Sequence, residues 1–182
     1  MRLFIAVELP DSLKDRLVRL KTDIPSATWS RRETYHLTLR FLGDDIPESK
    51  VPELHTALSA IRLPDFDVTL QGVGRFPPNP KSPARVLWVG LAANPPLMAL
   101  YQAIERAVKA AGFPPEDRAF SGHITLARLK STQPEPAVAA FLRDHADFHA
   151  DPFRAGAFHL ISSVLSSAGP HYTVLSSFML EG

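Results

Sequence analysis

No cysteine occurs among the 182 residues. That absence excludes disulfides, thiolate zinc sites and cysteine nucleophiles together. It fits a reducing compartment, so a cytoplasmic location is the expectation. Net charge is nearly absent as well: 20 Lys and Arg offset 19 Asp and Glu, leaving +1. Such a balance excludes a polyanion-coating protein, although it is compatible with a local basic cleft. Long hydrophobic runs are missing too. No stretch approaches the ~18 apolar residues that a membrane span requires. The apolar run from Leu3 to Val7 is too short for a signal peptide and meets charged residues at once. What remains is 45% hydrophobic and 21% charged, the balance of a folded globular chain, and long enough to bury a core without covalent staples.

The chain repeats itself. RLFIAVELP reads as a short strand, and DSLKDRLVRLK follows with Leu13, Leu17 and Leu20 at helical spacing and Asp11 as N-cap. YHLTLRFLG is a second strand. PESKVPELHTALSAIRL is a second helix, and FDVTLQGVGRF is a third strand with period-two alternation. The order then recurs. RVLWVGL is a strand, and PPLMALYQAIERAVKAAG is a helix with Gly112 placed for a left-handed C-terminal cap. HITLARL is a strand, PEPAVAAFLRDHA a helix and FRAGAFHLISS a strand; a closing strand covers residues 171–180. Two β-α-β-α-β halves, roughly 1–76 and 85–163, are expected to form one two-lobed domain spanning 1–182. The proline-rich FPPNPKSPAR is expected to be the loop between the lobes.

The matching strands carry the same motif. His36-Leu37-Thr38-Leu39 returns as His123-Ile124-Thr125-Leu126. On a strand, residues i and i+2 share a face, so each motif sends an imidazole and a hydroxyl to one side and two apolar residues to the core. If the halves pack about a pseudo-twofold axis, the two pairs face each other across a cleft. This arrangement suits metal-independent phosphodiester chemistry. One neutral imidazole takes a proton from the nucleophile, and the other, protonated, donates to the leaving oxygen on the opposite side of phosphorus. A third match, His171-Tyr172-Thr173, lacks the following Leu and has no counterpart in the first half. His55, His145, His149 and His159 read as surface or locally packed residues. Arg128 lies five residues after His123, which puts it on the opposite face unless a bulge at Ala127 brings it round. Arg40, Arg75 and Arg118 read as solvated charges. Trp29, Phe41, Phe76, Phe120 and Tyr172 are candidates to stack on a base, with core packing as the default.

With their flanks, the HLTL and HITL motifs resemble the two-histidine phosphoesterase superfamily. The most specific likeness is to the RNA 2',3'-cyclic phosphodiesterases, also called 2'-5' RNA ligases (the LigT/ThpR family). The likeness runs from RLFIAVELP through Trp29, HLTLRFLG, GVGRFP, RVLWVGL and HITLAR to Gly169-Pro170 and Tyr172. It implies a bilobal α+β fold with antiparallel sheets lining a central cleft and helices outside. It also implies hydrolysis of an RNA or nucleoside 2',3'-cyclic phosphate to a 2'-phosphate, without a cofactor. By position in the motifs, the resemblance makes His36 the proton donor, His123 the proton acceptor, and Thr38, Thr125 and Arg128 phosphate contacts. Gly122 stands where the family usually has Pro.

Three other readings stand beside this one. The same acid-base pair serves the reverse reaction, 2'-5' joining of RNA ends. A non-catalytic RNA-end binder would keep the fold without turnover. A metal site is disfavoured, because a catalytic zinc wants three protein ligands and neither motif carries a third. The partners expected are RNA ends or nucleoside cyclic phosphates, with no membrane and a monomer as the default state.

Overall fold

A computed structural model of the chain describes residues 1–181. Ten strands and four α-helices alternate: β1 (Arg2–Glu8), α1 (Asp11–Val18), β2 (Ala27–Trp29), β3 (His36–Gly43), α2 (Lys50–Ser59), β4 (Phe66–Val68), β5 (Leu70–Phe76), β6 (Val86–Leu91), α3 (Pro95–Ala110), β7 (His123–Leu129), α4 (Pro136–Asp144), β8 (Phe153–Ala155), β9 (Ala157–Ser166) and β10 (Gly169–Met179). A 3-10 turn, Arg32–Thr34, precedes β3. None of the described helices is long and apolar enough to cross a membrane.

Local chemistry sets the helix ends. Asn94 caps α3 by accepting from the Leu97 amide at 3.0 Å, with prolines in the first turn, where a missing N–H costs nothing. At its far end Gly112 takes φ +93°, the Gly112 amide donates to Lys109 O and the Phe113 amide to Val108 O. This is the Schellman closure expected of that glycine. At α1 the cap is Pro10 and not Asp11, because the Pro10 carbonyl receives the Leu13 and Lys14 amides, each at 3.1 Å. Asp11 is the first helical residue, where its charge still favours the positive end of the helix.

The fold is α+β, with two antiparallel four-stranded sheets ordered β10-β9-β1-β3 and β2-β7-β6-β5. The third strand of each sequence half crosses to the other half's sheet: β9 pairs with β1, and β5 pairs with β6. Helices cross over in the same way. Leu97, Leu100 and Ile104 of α3 share a core with Leu3, Ile5 and Leu37 of the first sheet, alongside Leu54 and Leu58 of α2. Leu13 and Leu17 of α1 share the second core with Leu87, Val89 and Ile124, alongside Val138 and Phe141 of α4. Each sheet therefore buries one face under a helix from each half.

Several sequence expectations change here. FDVTLQGVGRF is two strands, because β4 leaves the sheet to pair with β8, while β5 begins at Leu70 and passes a bulge at Gly72, φ +74°. FRAGAFHLISS divides likewise around Gly156. The proline-rich loop does not lie between lobes. It joins β5 to β6 within one sheet, closed by Arg85 N to Phe76 O at 2.7 Å, and contains a cis Phe76–Pro77 bond. Arg40 and Arg75 are buried, not solvated. Arg40 forks onto both oxygens of Glu105 at 2.8 and 2.6 Å and reaches Pro114 O at 2.6 Å. Arg75 clasps the proline loop through Pro77 O and Ser82 O. In both cases the charge is taken up by a carboxylate or backbone carbonyls that would otherwise lack a partner. Arg118 is exposed, as expected.

Candidate active site

The sheets meet along β3 and β7, whose Cα atoms approach within 8 Å. On β3, Leu37 and Leu39 are buried while His36 and Thr38 look away from the helices; on β7, Ile124 and Leu126 are buried while His123 and Thr125 look away. Both motifs thus present their polar pair on a helix-free face. Each strand then slips register by one residue. Thr38 pairs with Ala6 but Arg40 with Ile5, leaving Leu39 unpaired; Thr125 pairs with Trp88 but Ala127 with Leu87, leaving Leu126 unpaired. The second slip turns Arg128 back to the face of His123, with Ala127 and Leu129 buried on the other side. This is the bulge that Arg128 required, placed one residue earlier than Ala127.

The two imidazoles are mounted alike. His36 Nδ1 lies 3.3 Å from Thr34 O, and His123 Nδ1 lies 2.8 Å from Ser121 O, in each case the carbonyl two residues upstream. A carbonyl only accepts, so Nδ1 carries the proton and Nε2 is left to face a ligand. Aromatic rings hold both imidazoles. Phe4 and Tyr172 stand edge-on to His36 at 6.3 and 5.4 Å, and Phe76 stands edge-on to His123 at 5.1 Å with Trp88 at 6.3 Å.

Burial lowers the His36 pKa below its ordinary value of 6.5; nearby Lys14 and His159 push the same way, while the Thr34 hydrogen bond and Glu8 oppose. Burial raises the Tyr172 hydroxyl, against the pull of Arg2, Arg128 and Arg31. Arg128 of the second sheet and Tyr172 of the first are thus electrostatic neighbours, and Tyr172 packs on His36. Arg31 ties the β9–β10 hairpin down by donating to Pro170 O.

Of the five candidate stacking aromatics, Phe76 and Tyr172 stand beside the histidines, and Phe41 lies on the exposed face under the Arg2 guanidinium at 4.8 Å. Trp29 packs against Phe141, and Phe120 stacks on Tyr101 at 4.4 Å, so both serve the cores. His171 is exposed, whereas its neighbour Tyr172 reaches the site. His55 bonds Ser176 on the helix side, and His145 and His149 make local contacts. His159 is locally packed, half-buried and bonded through Nδ1 to Ser177 Oγ at 2.9 Å, and it also lies within electrostatic range of His36. Buried Phe158 and Leu160 flank it in sequence, and that alternation alone turns it to the helix-free face. Among the described residues, no three His, Asp or Glu side chains converge as ligands of a metal ion would.

A profile of the 2'-5' RNA ligase superfamily matches residues 9–165. Similar curated proteins include an Aeropyrum pernix protein named RNA 2',3'-cyclic phosphodiesterase, 35% identical over 88% of this chain and 92% of its own length. A protein of the same name from Archaeoglobus fulgidus is 32% identical over 98% and 99%. Among solved structures, one from Thermus thermophilus aligns with a TM-score of 0.80 at 31% identity, over 100% of this chain and 99% of its own. E. coli LigT, crystallised with 3'-AMP, aligns with a TM-score of 0.80 at 27% identity over 98% and 97%. With its paired motifs on matched strands, and with this likeness over nearly its whole length, the chain belongs to the 2'-5' RNA ligase superfamily.

Proposed function

We propose that this protein hydrolyses RNA or nucleoside 2',3'-cyclic phosphates to 2'-phosphates, with His36 as general acid, His123 as general base and no metal ion. The observation that carries the reading is the matched mounting of the two imidazoles. Each comes from the adjoining strand of its sheet, each has Nδ1 tied to the carbonyl two residues upstream, and each has a threonine two residues on along the same face. The names of the relatives support the substrate class.

In this reading the cyclic phosphate lies between β3 and β7. His123 Nε2 accepts a proton from water as the water oxygen bonds to phosphorus. On the opposite side the bond from phosphorus to the 3' oxygen breaks, and that oxygen takes the proton of His36 Nε2. The phosphate stays on the 2' oxygen. Thr38 and Thr125 donate their hydroxyls to the non-bridging oxygens, and Arg128 offsets the charge that builds on them. Burial disfavours the imidazolium form of His36, so the protonated ring gives up its proton readily to the departing alkoxide.

The test is product identity. Purified protein is incubated with adenosine 2',3'-cyclic phosphate and with a short RNA ending in a cyclic phosphate, in the presence of a strong chelator. The expected product is the 2'-phosphate at an unchanged rate. Formation of the 3'-phosphate would reverse the assignment of the leaving oxygen, and loss of turnover in chelator would require a metal. A parallel reaction with a 5'-hydroxyl acceptor measures joining.

A further inference from the structure

The two sheets carry the same row of side chains beside their threonines, filled in opposite ways. On the second sheet the row runs Thr125, Trp88, Gly74 across β7, β6 and β5. The indole lies over the glycine: a Cβ added at Gly74 would stand 2.1 Å from the ring. Polar side chains end there with Thr125. On the first sheet the row runs Thr38, Ala6, His159, Ser177 across β3, β1, β9 and β10. Ala6, between Thr38 and His159 in the row, is the smallest side chain there. It is fully buried, in a cluster with Phe4, Ile161 and Tyr172. With strands about 4.8 Å apart, His159 stands roughly 10 Å from Thr38 at the backbone. Glu8 pairs with His36 one row along, and its charge is felt at both His36 and His159.

The side on which a nucleoside lies follows from the chemistry. In-line displacement puts the leaving 3' oxygen next to the acid, and that oxygen belongs to the ribose. The ribose and its base therefore extend over the sheet that carries His36, while the other sheet meets the attacking water and the phosphate oxygens. The sheet that carries His36 is the one with an additional hydrogen-bonding pair. Its Ser177 Oγ holds His159 Nδ1, leaving Nε2 for a ligand.

We propose that His159, held by Ser177, is a specificity-determining residue that hydrogen-bonds the nucleoside of the terminal cyclic phosphate on the His36 side of the cleft. This rests on the reading of His36 as the acid. His159 takes no part in the bond-breaking step. It sets how tightly, and with what preference among bases, the nucleoside is held.

The experiment compares wild type, His159→Ala, His159→Gln and Ser177→Ala on the four nucleoside 2',3'-cyclic phosphates, with separate kcat and KM. For His159→Ala, KM is expected to rise about 5- to 10-fold, the loss of one hydrogen bond, by factors that differ among the bases. The kcat is expected to stay within about 3-fold of wild type, since no group in contact with the reacting atoms is removed. His159→Gln should recover part of the loss, and Ser177→Ala should show a smaller rise in KM. Unchanged KM for all four bases, or an equal fall in kcat with KM intact, would overturn the proposal. Direct binding of 2'-AMP and 2'-GMP, read by calorimetry, separates this inference from the reaction itself. If wild type turns over none of the cyclic nucleotides, the reading of the reaction fails. Weaker binding to His159→Ala would then still uphold the contact, and equal binding would overturn it.

Discussion

The Trp88 indole occupies the space that any side chain at Gly74 would need, with an added Cβ only 2.1 Å from the ring. Trp88 in turn stands 5.4 Å from Phe76, and both rings face His123. Gly74→Ala should therefore push the indole out of place and disturb the wall that orients His123. Overpacking of this kind costs about 1–3 kcal/mol. In a chain of this length each kcal/mol corresponds to roughly 2–4 °C in melting temperature. A thermal melt together with cyclic nucleotide turnover checks both effects; an unchanged melt would show that the indole has a second place to go.

Loss of either imidazole should cost at least ~10²-fold in rate, the usual contribution of general acid-base catalysis. His36→Ala and His123→Ala are the variants. Circular dichroism should be unchanged for His123→Ala, whose ring is partly exposed. Near wild-type turnover in either variant would remove that ring from the reaction.

Tyr172 packs edge-on against His36, the donor of the proposed reaction, at 5.4 Å. Burial under Tyr172 and Phe4 favours neutral His36, so its pKa is lowered from 6.5. A donor must be protonated and an acceptor must not, so kcat/KM against pH is bell-shaped with a maximum midway between the two pKa values. Lowering the donor's pKa moves that maximum toward acid. Tyr172→Ala opens the His36 ring to water, raises its pKa toward the ordinary value and should shift the profile to higher pH. A profile that keeps its position in this variant would contradict the cause assigned to the shift.

Arg40 and Glu105 form a bidentate pair with Arg40 only 5% exposed. Removing one partner of such a pair typically costs about 3–5 kcal/mol, since the other charge is left without compensation. Arg40→Ala should lower the melting temperature by about 6–20 °C by the same scaling. The double variant Arg40→Met, Glu105→Leu should recover part of that loss. A double variant that melts lower than Arg40→Ala, by the added loss of a second independent site, would show that the pair is not coupled.

The duplicated His-x-Thr-Leu strands and the helices around them are legible in the residues alone, because alternation and helical spacing are local properties of the chain. The exchange of β5 and β9 between sheets is not, because strand pairing depends on contacts far apart in sequence. Thr69 and Gly156 mark the breaks only once β4 and β8 are seen to pair with each other. Arg40 and Arg75 read as surface charge because single residues carry no record of a buried partner; Glu105 lies 65 positions from Arg40. Arg128 is ambiguous in the sequence for the same reason that it is well placed in the fold: one unpaired residue, Leu126, decides its face. His159 belongs to no motif, although Phe158 and Leu160 on either side already fix its direction.

The crossed strands also have a mechanical consequence. Each sheet is completed by a ribbon whose own half of the chain belongs to the opposite lobe, and β4 and β8 fasten the two crossings to one another. Neither half can be cut out as a miniature enzyme, since it would carry away a strand its neighbour needs and leave behind one of its own. Moving the sheets apart would break no ladder within either, but it would pull on the connections through β4 and β8, by which the chain crosses between them. The paired motifs thus sit on neighbouring strands of two sheets that a single chain crosses between repeatedly, before any substrate arrives to bridge them.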